Sequence, residues 1–542
     1  MALDPGTDTP PHPPSSDRLA HAAGLAGVAT LTSRILGLVR DQVLAALFGA
    51  GDEMDAFLVA FRIPNLVRDL FAEGAMSAAF VPTFTRHLTL LGKDEAWRLG
   101  NHVLNALLVI TGATVLVGFI FARPLVSLYA ESYASVPGKL ELTIRLARVM
   151  VPFLTLVAVA AAMMGMLNSL RHYFVPALAP ATFNVVAIVF ALLLTPIMPM
   201  IGLPRIMSVA IAALVGGLTQ VLVQWPPLRR EGFRYKPLLD FRDPGLRQVL
   251  ILMGPGTIGL AATQVNLFVS TLLATGEGTG AVSWLQYAFR VMYLPLGLFG
   301  VSIATAVLPA AARHAAVQDR EALRHTVARG LRLMLLANIP ATCGLVILST
   351  EIIRLLLERG HFTAVDTAAT ASALRLYAVG LVGYSTTRIV SPVFYALGRS
   401  RVPVALSVVS VTINLVLSLV FVRVMGFRGL ALATSIAALA NAALCVWLLR
   451  AQLDGIGGRH LASTFAKVST AAAAMSAVVF WVNRSLHVAS ASGGTIGQVA
   501  ALVATIVAGL VALGVTARVL GVGELDTLYA ETQRRLRALV SR

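Results

Sequence analysis

Charged residues sit in this chain where apolar sequence surrounds them. The stretch SRILGLVRDQVLAALFGAG carries Arg34, Arg40 and Asp41, and DAFLVAFRIPNLVRDLFAEGAMSAAFVP after it carries Asp55, Arg62, Arg68, Asp69 and Glu73. On a helix, Arg34 and Asp41 share a face, as do Arg62, Asn65, Asp69 and Glu73 at steps of three and four. A further arginine, Arg290, lies in AVSWLQYAFRVMYLPLGLFG with no acidic neighbour in its own run. Arginine stays protonated and its planar fork matches phosphate oxygens, so a pyrophosphate or similar polyanion is the ligand these residues suit. The competing reading is that Asp41, Asp55, Asp69 and Glu73 neutralise the arginines in structural pairs; it fits Arg40 and Arg68 better than Arg34, Arg62 and Arg290. Arg388 and Asn184 are weaker candidates for the same polar site, since asparagine in apolar helices commonly serves as interhelical glue.

The elements that must position these residues are membrane helices. Of 542 residues, 57% are apolar and 13% charged, where soluble domains carry about 25% charged residues. Apolar runs recur at about 24–48, 56–85, 101–122, 146–169, 176–197, 206–226, 248–274, 282–310, 331–350, 371–396, 402–422, 429–449, 462–482 and 497–519, each near the ~20 residues that span a bilayer core. The expectation is an all-α polytopic membrane protein of about 14 transmembrane helices. An ionisable group inside such a helix costs at least ~2.5 kcal/mol and normally faces a bundle interior or a water-filled cavity. Pro64 removes a backbone donor in the second span and bends it, as broken helices that line cavities do.

With the N-terminus inside, the even-numbered connections hold roughly 20 Lys and Arg against roughly 9 in the odd-numbered ones, so both termini are expected to be cytoplasmic. The two richest segments are Arg229 to Arg247 and Arg313 to Arg332. Topology and attraction to anionic lipid account for them and for much of the net charge of +17. No soluble basic module with base-reading residues exists, so nucleic acid is not an expected partner. Cys343 and Cys445 lack metal-ligand spacing, no carboxylate cage for a cation is visible and no GxxxxGK[ST] loop occurs, so neither a metal nor ATP is implied. A membrane enzyme acting on polyprenyl phosphates would need carboxylates or histidines clustered at a membrane edge; the acids here lie beside arginines instead.

An internal repeat organises the spans. Ala79-Phe80-Val81-Pro82 with Arg86-His87 matches Ala306-Val307-Leu308-Pro309 with Arg313-His314 at a shift of 227, as Val175-Pro176 matches Val402-Pro403; Ala60-Phe61-Arg62 matches Ala288-Phe289-Arg290 at 228. Six spans per repeat preserve orientation, giving parallel halves about an axis along the membrane normal, with Arg62 opposite Arg290. The expected division is a cytoplasmic tail at 1–20, an N-terminal lobe at 21–230, a C-terminal lobe at 231–450, two extra helices at 451–520 and a basic cytoplasmic tail at 521–542.

The stretch Ser33 to Pro82, together with Ala281 to Pro309 and GHFTAVD from Gly360 to Asp366, resembles the MurJ (MviN) lipid II flippases of the multidrug/oligosaccharidyl-lipid/polysaccharide exporter superfamily. The resemblance implies two six-helix lobes forming a V around a central cationic cavity, with helices 13 and 14 shaping a groove for a lipid tail. It implies a non-enzymatic flippase that moves undecaprenyl-pyrophosphate-linked peptidoglycan precursor from the cytoplasmic to the periplasmic leaflet by alternating access. A different polyprenyl-pyrophosphate-linked oligosaccharide is the alternative cargo. Arg34 and Arg40 match the family arginines of helix 1, Asp55 the acid that opens helix 2, Arg68 and Glu73 the arginine and glutamate further along it, and Arg290 the cavity arginine of helix 8. Asp69 and Phe289 depart from residues found in some members. The implied setting is the bacterial inner membrane, with no cofactor, driven by the membrane potential or an ion gradient. The implied partners are lipid II, membrane lipids and other cell-wall synthesis proteins, the chain itself acting as a monomer.

Overall fold

A computed structural model of the protein describes residues 16–68, 76, 79–492 and 494–524. The helices run α1 Ser16–Phe48, α2 Asp52–Arg68, α3 Val81–Leu90, α4 Lys93–Ile120, α5 Ala122–Tyr129, α6 Lys139–Met150, α7 Phe153–Ser169, α8 Phe174–Leu194, α9 Met207–Arg230, α10 Pro244–Thr275, α11 Ala281–Pro295, α12 Val301–Ala316, α13 Arg320–Ile347, α14 Ser349–Leu357, α15 Ala364–Val379, α16 Leu381–Ala396, α17 Arg401–Met425, α18 Phe427–Gln452, α19 Gly458–Ser492 and α20 Gly494–Val519. No strand occurs among the described residues.

Local chemistry sets several of these boundaries. Asp319 Oδ1 accepts from Ala322 N at 2.9 Å to open α13, and Thr363 and Asp366 form a reciprocal capping box at the start of α15. Pro82 lies in the first turn of α3, where its missing N–H has no helical partner to lose. Gly49 ends α1 at φ +64°, and a Cβ there would lie 2.4 Å from the His361 carbonyl oxygen. Only glycine meets both demands.

Helix occupies all fourteen predicted segments, the middle of the second lying partly outside the described residues. Among the described residues, ten helical segments are long and apolar enough to cross a bilayer. Charges interrupt α1 and α2, and α15 and α16 meet at Gly380; within α10 the pieces Pro244–Met253 and Asn266–Thr275 are apolar.

The repeat extends to helix boundaries. The starts of α4 and α13, Lys93 and Arg320, are 227 residues apart, as are the starts of α5 and α14, Ala122 and Ser349, and of α8 and α17, Phe174 and Arg401. α4 and α13 are both 28 residues long.

Two compact units make up the chain. The first comprises Met1–Val43, Ile63–Ala122 and Leu146–Thr257; the second comprises Leu44–Arg62, Arg123–Arg145 and Ile258–Arg542. The first is centred on Phe80, Phe84, Trp97, Met166 and Phe233, and the second on Leu331, Met334, Ile389, Phe394 and Cys445. Within a bilayer lipid is as apolar as leucine, so close packing of small residues and scattered interhelical hydrogen bonds hold helices together. In the first unit, α7 and α9 bury Ala160 to Ala162 and Ala210, Ala212 and Ala213, and Gln224 Nε2 donates to Ala160 O at 3.2 Å. In the second, Ser435 Oγ donates to Leu376 O at 2.6 Å and Ser385 Oγ to Asn338 Oδ1 at 3.1 Å.

Candidate functional site

Within the first unit, α1 presents its charges in two ways. Arg40 is clamped: its Nη2 donates to Asp41 Oδ1 at 2.8 Å, its Nη1 to Asn184 Oδ1 at 3.0 Å, and it lies over the Phe183 ring at 5.9 Å. Asn184 in turn donates to Ser33 O at 3.0 Å, tying α8 to α1 at two levels. Both charged side chains are largely buried, at 15% and 9% exposure. Arg40 and Asp41 therefore form the structural pair that the sequence allowed, with Asn184 as its glue. Arg34, almost two turns earlier, is exposed.

Within the second unit, Asp55 is the most enclosed acid. Its Oδ2 accepts from Gly280 N at 2.7 Å and from Lys139 Nζ at 3.0 Å; its Oδ1 accepts from Ser283 N at 3.1 Å and Ser283 Oγ at 2.7 Å. The carboxylate thus meets the first N–H groups of α11, where an anion is favoured. Lys139 also pairs with Asp52 at 2.8 Å, and its Nζ sits 4.1 Å from the Tyr133 ring centre. Thr279 Oγ1 donates to Asp52 Oδ1 at 2.7 Å. Burial acts to raise the Asp52 carboxyl, but hydrogen bonds from Lys139 and Thr279 and the Lys139 charge outweigh it and hold Asp52 below its ordinary value. This buried cluster joins the start of α2, the start of α6 and the turn before α11. Asp55 and Ser283 are 228 residues apart, so equivalent positions of the two repeats touch here.

The remaining candidates fall as follows. Arg62 and Asn65 are half-buried on α2. Arg68 closes α2, while Asp69 and Glu73 lie outside the described residues. Arg290 is exposed on α11, two turns beyond Ser283. Arg388, on α16, is also exposed; it donates to the Tyr293 hydroxyl and lies over that ring at 5.8 Å. Phe289 packs edge-on to Tyr377 and Tyr384, so the residue beside Arg290 serves an aromatic cluster. Lys139 was absent from the sequence candidates because it lies outside every apolar run. The repeat shift could have exposed it: 227 residues on is Asp366, which accepts from Trp284 Nε1 at 2.9 Å, one residue past Ser283.

A bundle of long apolar helices with arginines among them and an internal repeat has the fold of solved membrane transporters. The fold matches an inward-facing MATE family transporter of the MOP superfamily with a TM-score of 0.67 at 16% identity, over 80% of this chain and 98% of that one. The family is narrower. The sequence model described as Lipid II flippase MurJ matches residues 44–493. The probable lipid II flippase MurJ of Vibrio cholerae is 33% identical over 86% of this chain and 89% of its own length. That of Bdellovibrio bacteriovorus is 35% identical over 95% and 97%. A structure described as lipid II flippase MurJ in an inward closed conformation has a TM-score of 0.77 at 27% identity, covering 92% of this chain and 98% of that one. This chain belongs to the MurJ lipid II flippase family.

Proposed function

We propose that the chain moves lipid II from the cytoplasmic to the outer leaflet of the bacterial inner membrane by alternating access, with both termini in the cytoplasm. The family match over residues 44–493 carries this reading. The arginines supply its chemistry: Arg34, Arg62 and Arg290 engage the pyrophosphate, with Arg68 and Arg388 adding positive potential, while Arg40 is held by Asp41 and Asn184 and shapes α1. The polyprenyl tail stays in lipid along α19 and α20. Outward movement of an anion is favoured by an inside-negative potential, by ~2.3 kcal/mol per charge per 100 mV. No cofactor enters, and the chain works as a monomer among other wall-synthesis proteins.

The test is complementation of a bacterium depleted of its own lipid II flippase, scored by labelled lipid II reaching the outer leaflet. Rescue is expected, and Arg290→Ala abolishes it with the protein still inserted. Arg290→Lys separates charge from fork geometry: partial rescue means charge suffices, and none means bidentate phosphate recognition. Failure of the wild-type chain to rescue, once inserted, assigns it another polyprenyl-pyrophosphate cargo. Unimpaired rescue by Arg34→Ala, Arg62→Ala and Arg290→Ala alike overturns the arginine site.

A further inference from the structure

Between α9 and α10 the chain runs as an extended strap from Gly232 to Arg242, and two buried asparagines of α4 fasten its backbone. Asn101 Nδ2 donates to Arg234 O at 3.1 Å and Asn101 Oδ1 accepts from Lys236 N at 2.8 Å. Asn105 Nδ2 donates to Lys236 O at 2.8 Å and Leu238 O at 3.0 Å, and Asn105 Oδ1 accepts from the Tyr235 hydroxyl at 2.7 Å. Phe233 is buried beside Trp97 and Trp225 and anchors the strap's start. A connection with satisfied backbone polar groups at two successive turns of a membrane helix is a held element, with a fixed set of outward side chains.

What it holds outward is two-natured. Arg234, Lys236 and Arg242 are exposed, and so are Tyr235, Leu238, Leu239 and Phe241, the last at 50%. The neighbouring acids are engaged: Glu231 binds Lys93 and His172 at 3.0 and 2.9 Å, Asp240 accepts from Arg242 N, and Asp243 caps α10 through Leu246 N. Among the described residues no carboxylate forms an ion pair with Arg229, Arg230, Arg234, Lys236, Arg242 or Arg247. Apolar and aromatic side chains alternating with unpaired cations, at the end of a spanning helix, match the boundary between acyl chains and anionic headgroups.

We propose that this strap is a binding site for the headgroup of an anionic phospholipid: Arg234, Lys236 and Arg242 take the phosphate, and Leu238, Leu239 and Phe241 enter the acyl boundary beside it. The asparagine clamp holds the backbone of Arg234 to Leu238 in place, which lowers the ordering cost at binding. Lipid is the source of the phosphate because Leu238, Leu239 and Phe241 accompany the cations, and a free anion would make no use of them.

The full chain, purified in detergent, is titrated with phosphatidylglycerol, with phosphatidylcholine as the zwitterionic control, and bound lipid is counted by native mass spectrometry. The unmodified chain binds phosphatidylglycerol at least fivefold more tightly than phosphatidylcholine. The triple variant Arg234→Gln/Lys236→Gln/Arg242→Gln loses that preference with an unchanged melting temperature. The equally exposed set Arg313→Gln/Arg399→Gln/Arg401→Gln keeps it. Equal losses in the two triple variants mean a diffuse field and overturn the site, as does a strap variant that binds like the unmodified chain. Displacement of the lipid by millimolar inorganic phosphate assigns the cations to free anions and overturns the lipid assignment.

Discussion

Lys139 and Asp55 are 2% and 0% exposed at their side chains, so each helps to compensate the other for a charge taken out of water. Removing one partner of such a pair costs about 3 to 5 kcal/mol, because the remaining charge is stranded, whereas removing both is far milder. Lys139→Met is therefore expected to lower the melting temperature of the detergent-purified protein sharply. Asp55→Asn/Lys139→Met should recover much of that loss. A double-mutant cycle on melting temperatures measures the coupling, and a coupling near zero would show that Ser283 and the Gly280 N–H alone hold Asp55. Glu231 offers a second residue-scale test. Hydrogen bonds from His172 and Lys93 hold its carboxyl below the ordinary 4.5. A depressed carboxylate contributes stability that is present in full above its unfolded value and is lost as pH falls through the folded one. The chain should lose stability on acidification below about pH 4.5, and Glu231→Gln should make that decline shallower in melting curves between pH 6 and 3. Identical slopes would remove Glu231 from the acid response.

At the scale of elements, the turn after α1 is where sequence and packing agree most tightly. Gly49→Ala combines a positive φ with a Cβ 2.4 Å from His361 O, whereas Gly92→Ala, at φ +87°, meets open space. The Gly92 change, at φ 87° and ψ 178°, carries only a backbone cost of about 1 to 3 kcal/mol; the Gly49 change also forces the α1–α2 turn away from the segment before α15. Melting temperatures of the two variants isolate the steric part, and equal drops would mean the turn can yield. The positions of the helices were legible because apolar runs near bilayer length are long, repeated signals. The Arg40–Asp41 pair was legible from local charge, and the repeat from short matches at 227, which helix starts such as Lys93 and Arg320 follow. Lys139 and the strap were not. Burial of Lys139 arises only when the starts of α2, α6 and α11 converge, and Asn101 and Asn105 reveal their role only once a segment some 130 residues away lies on them. Both depend on contacts that no local periodicity encodes.

For the whole molecule, the Asp52–Thr279 and Asp55–Ser283 contacts matter because they join equivalent points of the two repeats. When one repeat of a carrier rocks against the other, a contact between equivalent points of the two is a place where the cycle can open. Asp52 and Thr279 suit a test better than Asp55 and Ser283, since both are reachable from solvent: the Asp52 side chain is 45% exposed and Thr279 is exposed. In a Cys343→Ala background, which leaves only the buried Cys445, Asp52→Cys/Thr279→Cys can be bridged by a short bis-methanethiosulfonate reagent. Each single cysteine variant, treated identically, should still deliver labelled lipid II to the outer leaflet. The bridged double variant should stop, and dithiothreitol should restore it within the same sample. That reversibility separates an arrested cycle from a damaged protein. Delivery that continues at the untreated rate across a confirmed bridge would mean that this junction stays closed throughout transport, and the moving boundary would then have to lie elsewhere in the helical bundle.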